Sequence, residues 1–155
     1  MIVNIDDIIN YDLSIITYYY SDKENINQDE SKLIEIEMKK YLYLIAKNHK
    51  EYGMTRSIDM YWHTFILFTK EYHDFCDFLG CSYIHHSPAT REEEKVSFHE
   101  NFINFIEDYE SAYKMKFPNE IWLATPHINC GSTGNCKNTL PAINNLVCGG
   151  GRASH

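Results

Sequence analysis

Apolar residues recur three and four positions apart along four stretches of the chain, the period of a helix with one buried face. No stretch alternates apolar and polar residues as a half-buried strand with hairpin turns would. The first helical stretch runs from about Ile5 to Tyr19, and Ser21-Asp22-Lys23-Glu24-Asn25 ends it. Its Tyr18-Tyr19-Tyr20 run reads as helix face plus turn. The second runs from about Gln28 to His49, with Leu33, Ile36, Tyr41, Leu44 and Ile45 as its apolar residues and Gly53 closing the turn after it. The third starts near Ser57, a good N-cap residue, and continues to Leu79, with Gly80 as the C′ residue. Around that helix Ile58, Tyr61, Phe65, Phe68, Tyr72, Phe75, Cys76 and Leu79 fall on one side, and Asp59, His63, Lys70, His73, Asp74 and Asp77 on the other. The fourth begins after Pro88-Ala89-Thr90, with Thr90 as cap and Glu92, Glu93 and Glu94 at the positive end of the dipole. It is expected to bury Phe98, Phe102, Phe105, Ile106, Tyr109 and Tyr113. Four amphipathic helices with short links predict an all-α fold, a compact domain resembling a four-helix bundle.

The length of 155 residues is that of one domain, and apolar and aromatic fractions of 44% and 14% are enough for a real core. All 22 carboxylates lie at or before Glu120, together with 12 of the 14 basic residues, so that part carries −10. The last 35 residues hold only Lys137 and Arg152 as charges, five of the seven glycines and three of the five cysteines. This shift places a boundary near Pro126. A helical domain is expected over 1–126 and an irregular tail rich in Gly, Asn and Cys over 127–155.

A net charge of −8 argues against a general nucleic-acid or anionic-membrane binder, which needs a basic footprint. Apolar runs such as Tyr41 to Ala46 are far short of the ~20 residues that cross a bilayer. The N-terminus is acidic where a secretory signal would be basic, and no apolar segment follows. Five cysteines is an odd number, read as thiols or ligands in a reducing cytosol. The expectation is a cytoplasmic protein whose partner is a protein or small molecule; export without a cleaved signal would leave the same sequence.

Candidate chemistry centres on the third helix. Asp59 and His63 are spaced i,i+4 and lie one above the other, and His85 and His86 follow in the segment after Gly80. One carboxylate with two or three imidazoles is a ligand set for zinc or non-haem iron and leaves positions open to water. The plainer alternative is that Asp59 pairs with His63 or caps the helix, with His85 and His86 packed in a loop.

The run Asp59-Met60-Tyr61-Trp62-His63-Thr64-Phe65-Ile66-Leu67-Phe68-Thr69-Lys70-Glu71-Tyr72, then Phe75-Cys76 and Ile84-His85-His86-Ser87-Pro88, resembles the signature of the glycine-rich domain-containing protein-like family. Tyr113, Phe117-Pro118 and Ile121-Trp122 look like its second block, and Cys148-Gly149-Gly150-Gly151 like its glycine-rich end. The resemblance implies that Asp59, Trp62, His63 and His86 act together, and it names no substrate. Some members carry a second His two residues after the first, where this chain has Phe65.

Trp62, Tyr72 and Cys81 are the expected surroundings of such a site, with Trp62 as a wall and Cys81 as a further ligand. Cys76 falls among the apolar residues and reads as a buried core thiol. His73 is ten residues from His63, about 15 Å of helical rise, too far to share an ion with it. His99 reads as a packed histidine. In the tail, His127, Cys130, Cys136 and Cys148 could close a structural zinc site, although their spacing matches no paired C-x2-C knuckle. A flexible tail with incidental thiols and a redox pair of Cys130 with Cys136 are the alternatives there. Gly149-Gly150-Gly151 has no following Lys-Ser/Thr, so a phosphate loop and a nucleotide cofactor are not expected; no Ser nucleophile elbow or His-Glu-x-x-His occurs. Two functions fit: a metal-dependent enzyme of unassigned reaction, or a non-enzymatic interaction module in which the Asp/His cluster is structural.

Overall fold

A computed structural model describes residues 3–88, 92–123 and 149–154, with side chains over 3–86 and 100–123. The fold is all-α in character. Among the described residues the helices are α1 (Ile5–Ile9), α2 (Ser14–Glu24), α3 (Gln28–Asn48), α4 (Arg56–Leu67), α5 (Thr69–Phe78), α6 (Glu92–Tyr113) and α7 (Asn119–Trp122). Two short strands, β1 (Tyr83–Pro88) and β2 (Gly149–Ser154), pair antiparallel. No described helix is long and apolar enough to cross a membrane.

Two of the four expected helices are broken, each for a local reason. The first splits into α1 and α2 where Asn10 caps α1 and the Asp12 carboxylate accepts the Ser14 N–H at 2.9 Å. Such side-chain bonds offer the backbone an alternative to continuing the helix. The third splits at Phe68, whose ψ of 70° leaves the helical region and lets α5 fold back on α4. Tyr72 and Phe75 then meet Phe65 at ring separations of 5.0 and 5.7 Å. Ser57 is not the cap: Thr55 holds that position, and Ser57 sits inside α4 with its hydroxyl on the Ile121 and Trp122 carbonyls. The expectation that the chain after Gly80 is a loop is also corrected, since Tyr83–Pro88 is a strand.

The central helix is α3, which touches α1, α2, α4 and both strands. Because neighbours surround it, its buried surface exceeds one apolar stripe. Ile34, Met38, Tyr41, Leu42, Leu44 and Ile45 enter the core, whereas Leu33, expected inside, is 49% exposed. Glu35, Glu37, Lys39 and Lys40 are buried as well, and each is matched by partners as a buried charge requires. Lys39 Nζ donates to the Ile9 and Tyr11 carbonyls at 3.0 and 2.6 Å and to Glu35 at 2.5 Å, which ties the end of α1 to α3. Glu35 also accepts from Lys32 at 2.9 Å and from the Thr17 hydroxyl. Burial alone would raise the Glu35 carboxyl, but its bonds from Lys39, Thr17 and Lys32 hold it below the ordinary range. Glu37 accepts from the Trp122 indole at 2.9 Å and the Tyr109 hydroxyl at 2.8 Å, fastening α7 and α6 to α3.

The expected boundary near Pro126 and the residues His127, Cys130, Cys136 and Cys148 lie outside the described residues, as does the cap Thr90.

Candidate metal centre

Asp59 and His63 come from α4, where the i,i+4 spacing stacks them on one face, and His86 comes from β1. Strand alternation decides which histidine of the pair faces the helix. Ile84 and His86 point inward, Ile84 fully buried, while Tyr83 and His85 share the outer face with rings 4.8 Å apart. His85 is exposed and stands outside the cluster. The chain reaches β1 through Gly80, which takes φ 85° at the end of α5.

Three potential ligand atoms converge. Asp59 Oδ1 lies 2.8 Å from His86 Nε2 and 3.4 Å from His63 Nε2, and the two Nε2 atoms are 2.7 Å apart. An ion bound at about 2.1 Å separates adjacent ligand atoms by about 3 Å, close to this triangle. Asp59 is buried, yet its Oδ1 accepts no properly directed hydrogen bond from either ring despite those short distances. Where two Nε2 atoms face each other, at most one can carry a proton in that contact. The His63 side chain is 58% exposed, so one side of the triangle opens to solvent. Two imidazoles and one carboxylate so placed could hold a divalent cation with a position left open to solvent.

The surrounding groups fix the rings. The Trp62 indole is fully buried and lies against the His86 imidazole, centroids 4.3 Å apart and planes 33° from parallel. Its Nε1–H donates to the Tyr72 hydroxyl at 3.1 Å, and that hydroxyl donates to the Ile84 carbonyl at 2.5 Å, two residues before His86. Tyr72 therefore connects α4, α5 and β1 behind the site. Cys81 is buried and hydrogen-bonds the Cys76 carbonyl at 3.5 Å, away from the Asp59–His63–His86 triangle. Cys76 is a buried free thiol, as its place on the apolar face implied.

A family model matches residues 7–117, close to three quarters of the chain. The chain belongs to the UCP032817-like family. This overturns the resemblance to the glycine-rich domain-containing protein-like family. The residues that carried that resemblance include Tyr61, Trp62, Phe65, Tyr72, Phe75 and Cys76, all of them buried in the core. A pattern of buried aromatic positions reflects the demands of core packing. The UCP032817-like match contains Asp59, His63 and His86 and stops before the glycine run at Gly149. No curated protein and no solved structure matches the chain.

What sequence reading missed was the strand that completes the sheet. In the register of β1 and β2, His86 pairs with Gly151, Ser87 with Gly150 and Pro88 with Gly149. The glycine run is thus the neighbour of the candidate ligand strand. Nothing in its composition pointed there, because strand pairing across more than 60 residues leaves no local pattern.

Proposed function

We propose that the chain binds one divalent cation, zinc or iron(II), through Asp59, His63 and His86, and that this ion is the centre of a metal-dependent reaction on a small molecule or protein. The observation that carries the reading is the buried Asp59 Oδ1, which has two imidazole nitrogens beside it and no directed hydrogen bond from either. Two histidines and one carboxylate with an open side suit both metals. An ion so held polarises a substrate oxygen or lowers the pKa of a bound water. His85 is left out of the ligand set because it shares the outer face of β1 with Tyr83. An acidic chain with free thiols at Cys76 and Cys81 fits a cytoplasmic setting without a nucleic-acid partner.

The test is titration of the chelator-stripped full chain with zinc, and with iron(II) under anaerobic conditions, followed by calorimetry. One equivalent should bind, and Asp59→Asn, His63→Ala and His86→Ala should each abolish saturable binding while the helical circular-dichroism signal is kept. No saturable uptake by the unaltered chain would overturn the reading.

A second reading, an interaction module with a structural cluster, is favoured by the His63–His86 contact at 2.7 Å, which serves as a hydrogen bond in its own right. In that case His63→Ala lowers stability by about 1–3 kcal/mol with no change in metal uptake.

A further inference from the structure

The end of α5 holds a second reactive arrangement, independent of the metal reading. Leu79 is the last cap of the helix, Gly80 takes the left-handed φ of 85°, and two backbone bonds close the turn. The Cys81 N–H donates to the Cys76 carbonyl at 3.1 Å, and the Gly80 N–H to the Asp77 carbonyl at 3.0 Å. This is a Schellman motif, which brings the side chains at C3 and C″ together. That contact is ordinarily between two hydrophobic residues. In this chain both positions are cysteine.

The turn sets the two side chains side by side, with the Cys81 thiol donating to the Cys76 carbonyl at 3.5 Å, and both thiols are free. The Cys76 sulfur also lies within hydrogen-bond reach of the Ile84 backbone N–H and the Tyr72 hydroxyl. The bond from Cys81, followed by those two, holds the Cys76 thiol below its ordinary value against the opposing effect of burial. Hydrogen bonding with its Cys76 neighbour, and then burial, push the Cys81 thiol up. Two free thiols thus stand next to each other across one turn of chain. A lone buried cysteine would be inert. Here the pair straddles a helix end, where fraying is least costly, and Gly80 and Ser82 on either side of Cys81 are exposed.

We propose that Cys76 and Cys81 are a redox-active dithiol that closes reversibly to an intramolecular disulfide when a peroxide oxidises it. The Cys76 thiolate attacks one peroxide oxygen, the O–O bond breaks, and the leaving hydroxide takes a proton to become water. The Cys81 sulfur then attacks the resulting sulfenic sulfur, forming the S–S bond and releasing a second water. Each sulfur gives up one electron, and the two peroxide oxygens take up the pair.

The experiment uses the full chain with Cys130→Ser, Cys136→Ser and Cys148→Ser, treated with stoichiometric hydrogen peroxide and read by intact mass and peptide mapping. The expected product has lost two hydrogens, carries a Cys76–Cys81 link within one chain, and returns to the dithiol with dithiothreitol. In Cys81→Ser the reaction should stop at a sulfenic acid on Cys76 that dimedone traps. In Cys76→Ser, Cys81 should stay unmodified. The proposal is overturned if both thiols survive peroxide that oxidises a free cysteine peptide. It is equally overturned if Cys76 passes to sulfinic acid with Cys81 intact, or if the disulfide forms only between chains.

Discussion

The indole N–H of Trp62, on the helix carrying Asp59 and His63, donates to the Tyr72 hydroxyl of α5 at 3.1 Å. The Tyr72 hydroxyl in turn donates to the Ile84 carbonyl, two residues before His86 on β1. Removing the hydroxyl in Tyr72→Phe keeps the ring packing against Phe65 but leaves a buried indole N–H and a buried carbonyl unmatched. The expected cost is about 1–3 kcal/mol in urea unfolding. Metal affinity should fall about 10–100-fold, as it does when groups that orient ligands are lost. Unchanged affinity in a folded Tyr72→Phe variant would show that β1 is held in place without this relay.

The buried Glu35–Lys39 pair sets the acid limit of stability. The folded-state value of Glu35 lies below its ordinary 4.5, so the unfolded chain takes up its proton first as pH falls. Its contribution is present above that ordinary value and is lost as pH drops through the lower folded value. Unfolding free energy should therefore decline below about pH 4, and less steeply in Glu35→Gln. At neutral pH that variant should be less stable by about 3–5 kcal/mol, since it leaves the Lys39 ammonium buried without its carboxylate. An identical slope in both proteins would assign acid unfolding to other groups such as Asp108, whose carboxyl is also held down; burial opposes this, and bonds from Tyr52 and Lys50 outweigh it.

Glu37 is the shared acceptor of Trp122 and Tyr109 and the ion-pair partner of Lys40. Trp122→Phe removes one donor and keeps an aromatic ring beside Phe105, whereas Glu37→Ala leaves three polar groups without their acceptor. Glu37→Ala should therefore be the more destabilising of the two in parallel denaturation curves. The reverse order would mean that ring packing, rather than the carboxylate, fastens α7.

Pairing with β2 should steady the strand that bears His86. In a chain lacking residues 149–155, the amides of β1 should exchange faster with deuterium, and metal affinity should fall with them. Unaltered protection of Ile84 and His86 would show that Tyr72 alone is a sufficient anchor.

The helical class of the fold was legible because the apolar residues of α4, α5 and α6 repeat at helical spacing and face one core. The breaks at Asn10 and Phe68 were not, since each depends on a turn that tertiary packing selects over a continuous helix. Nor were the buried charges of α3, where Glu35 and Lys39 look like a solvated i,i+4 pair until α1 and α2 cover them. For the candidate centre, spacing alone paired Asp59 with His63. Sequence reading grouped His86 with them and kept His85 as a further ligand; what leaves His85 out is a strand, set by a turn at Gly80 and a partner far along the chain. The family resemblance misled for a related reason, because its aromatic positions are core positions.

The most direct test of the metal reading is elemental analysis of the untagged full chain as purified, beside His85→Ala, His86→Ala and His63→Ala. One equivalent of zinc or iron should be retained by the unaltered chain and by His85→Ala, and lost from His86→Ala and His63→Ala. Equal metal content in His85→Ala and His86→Ala, or none in any of the four proteins, would contradict the assignment of Asp59, His63 and His86 as its ligands.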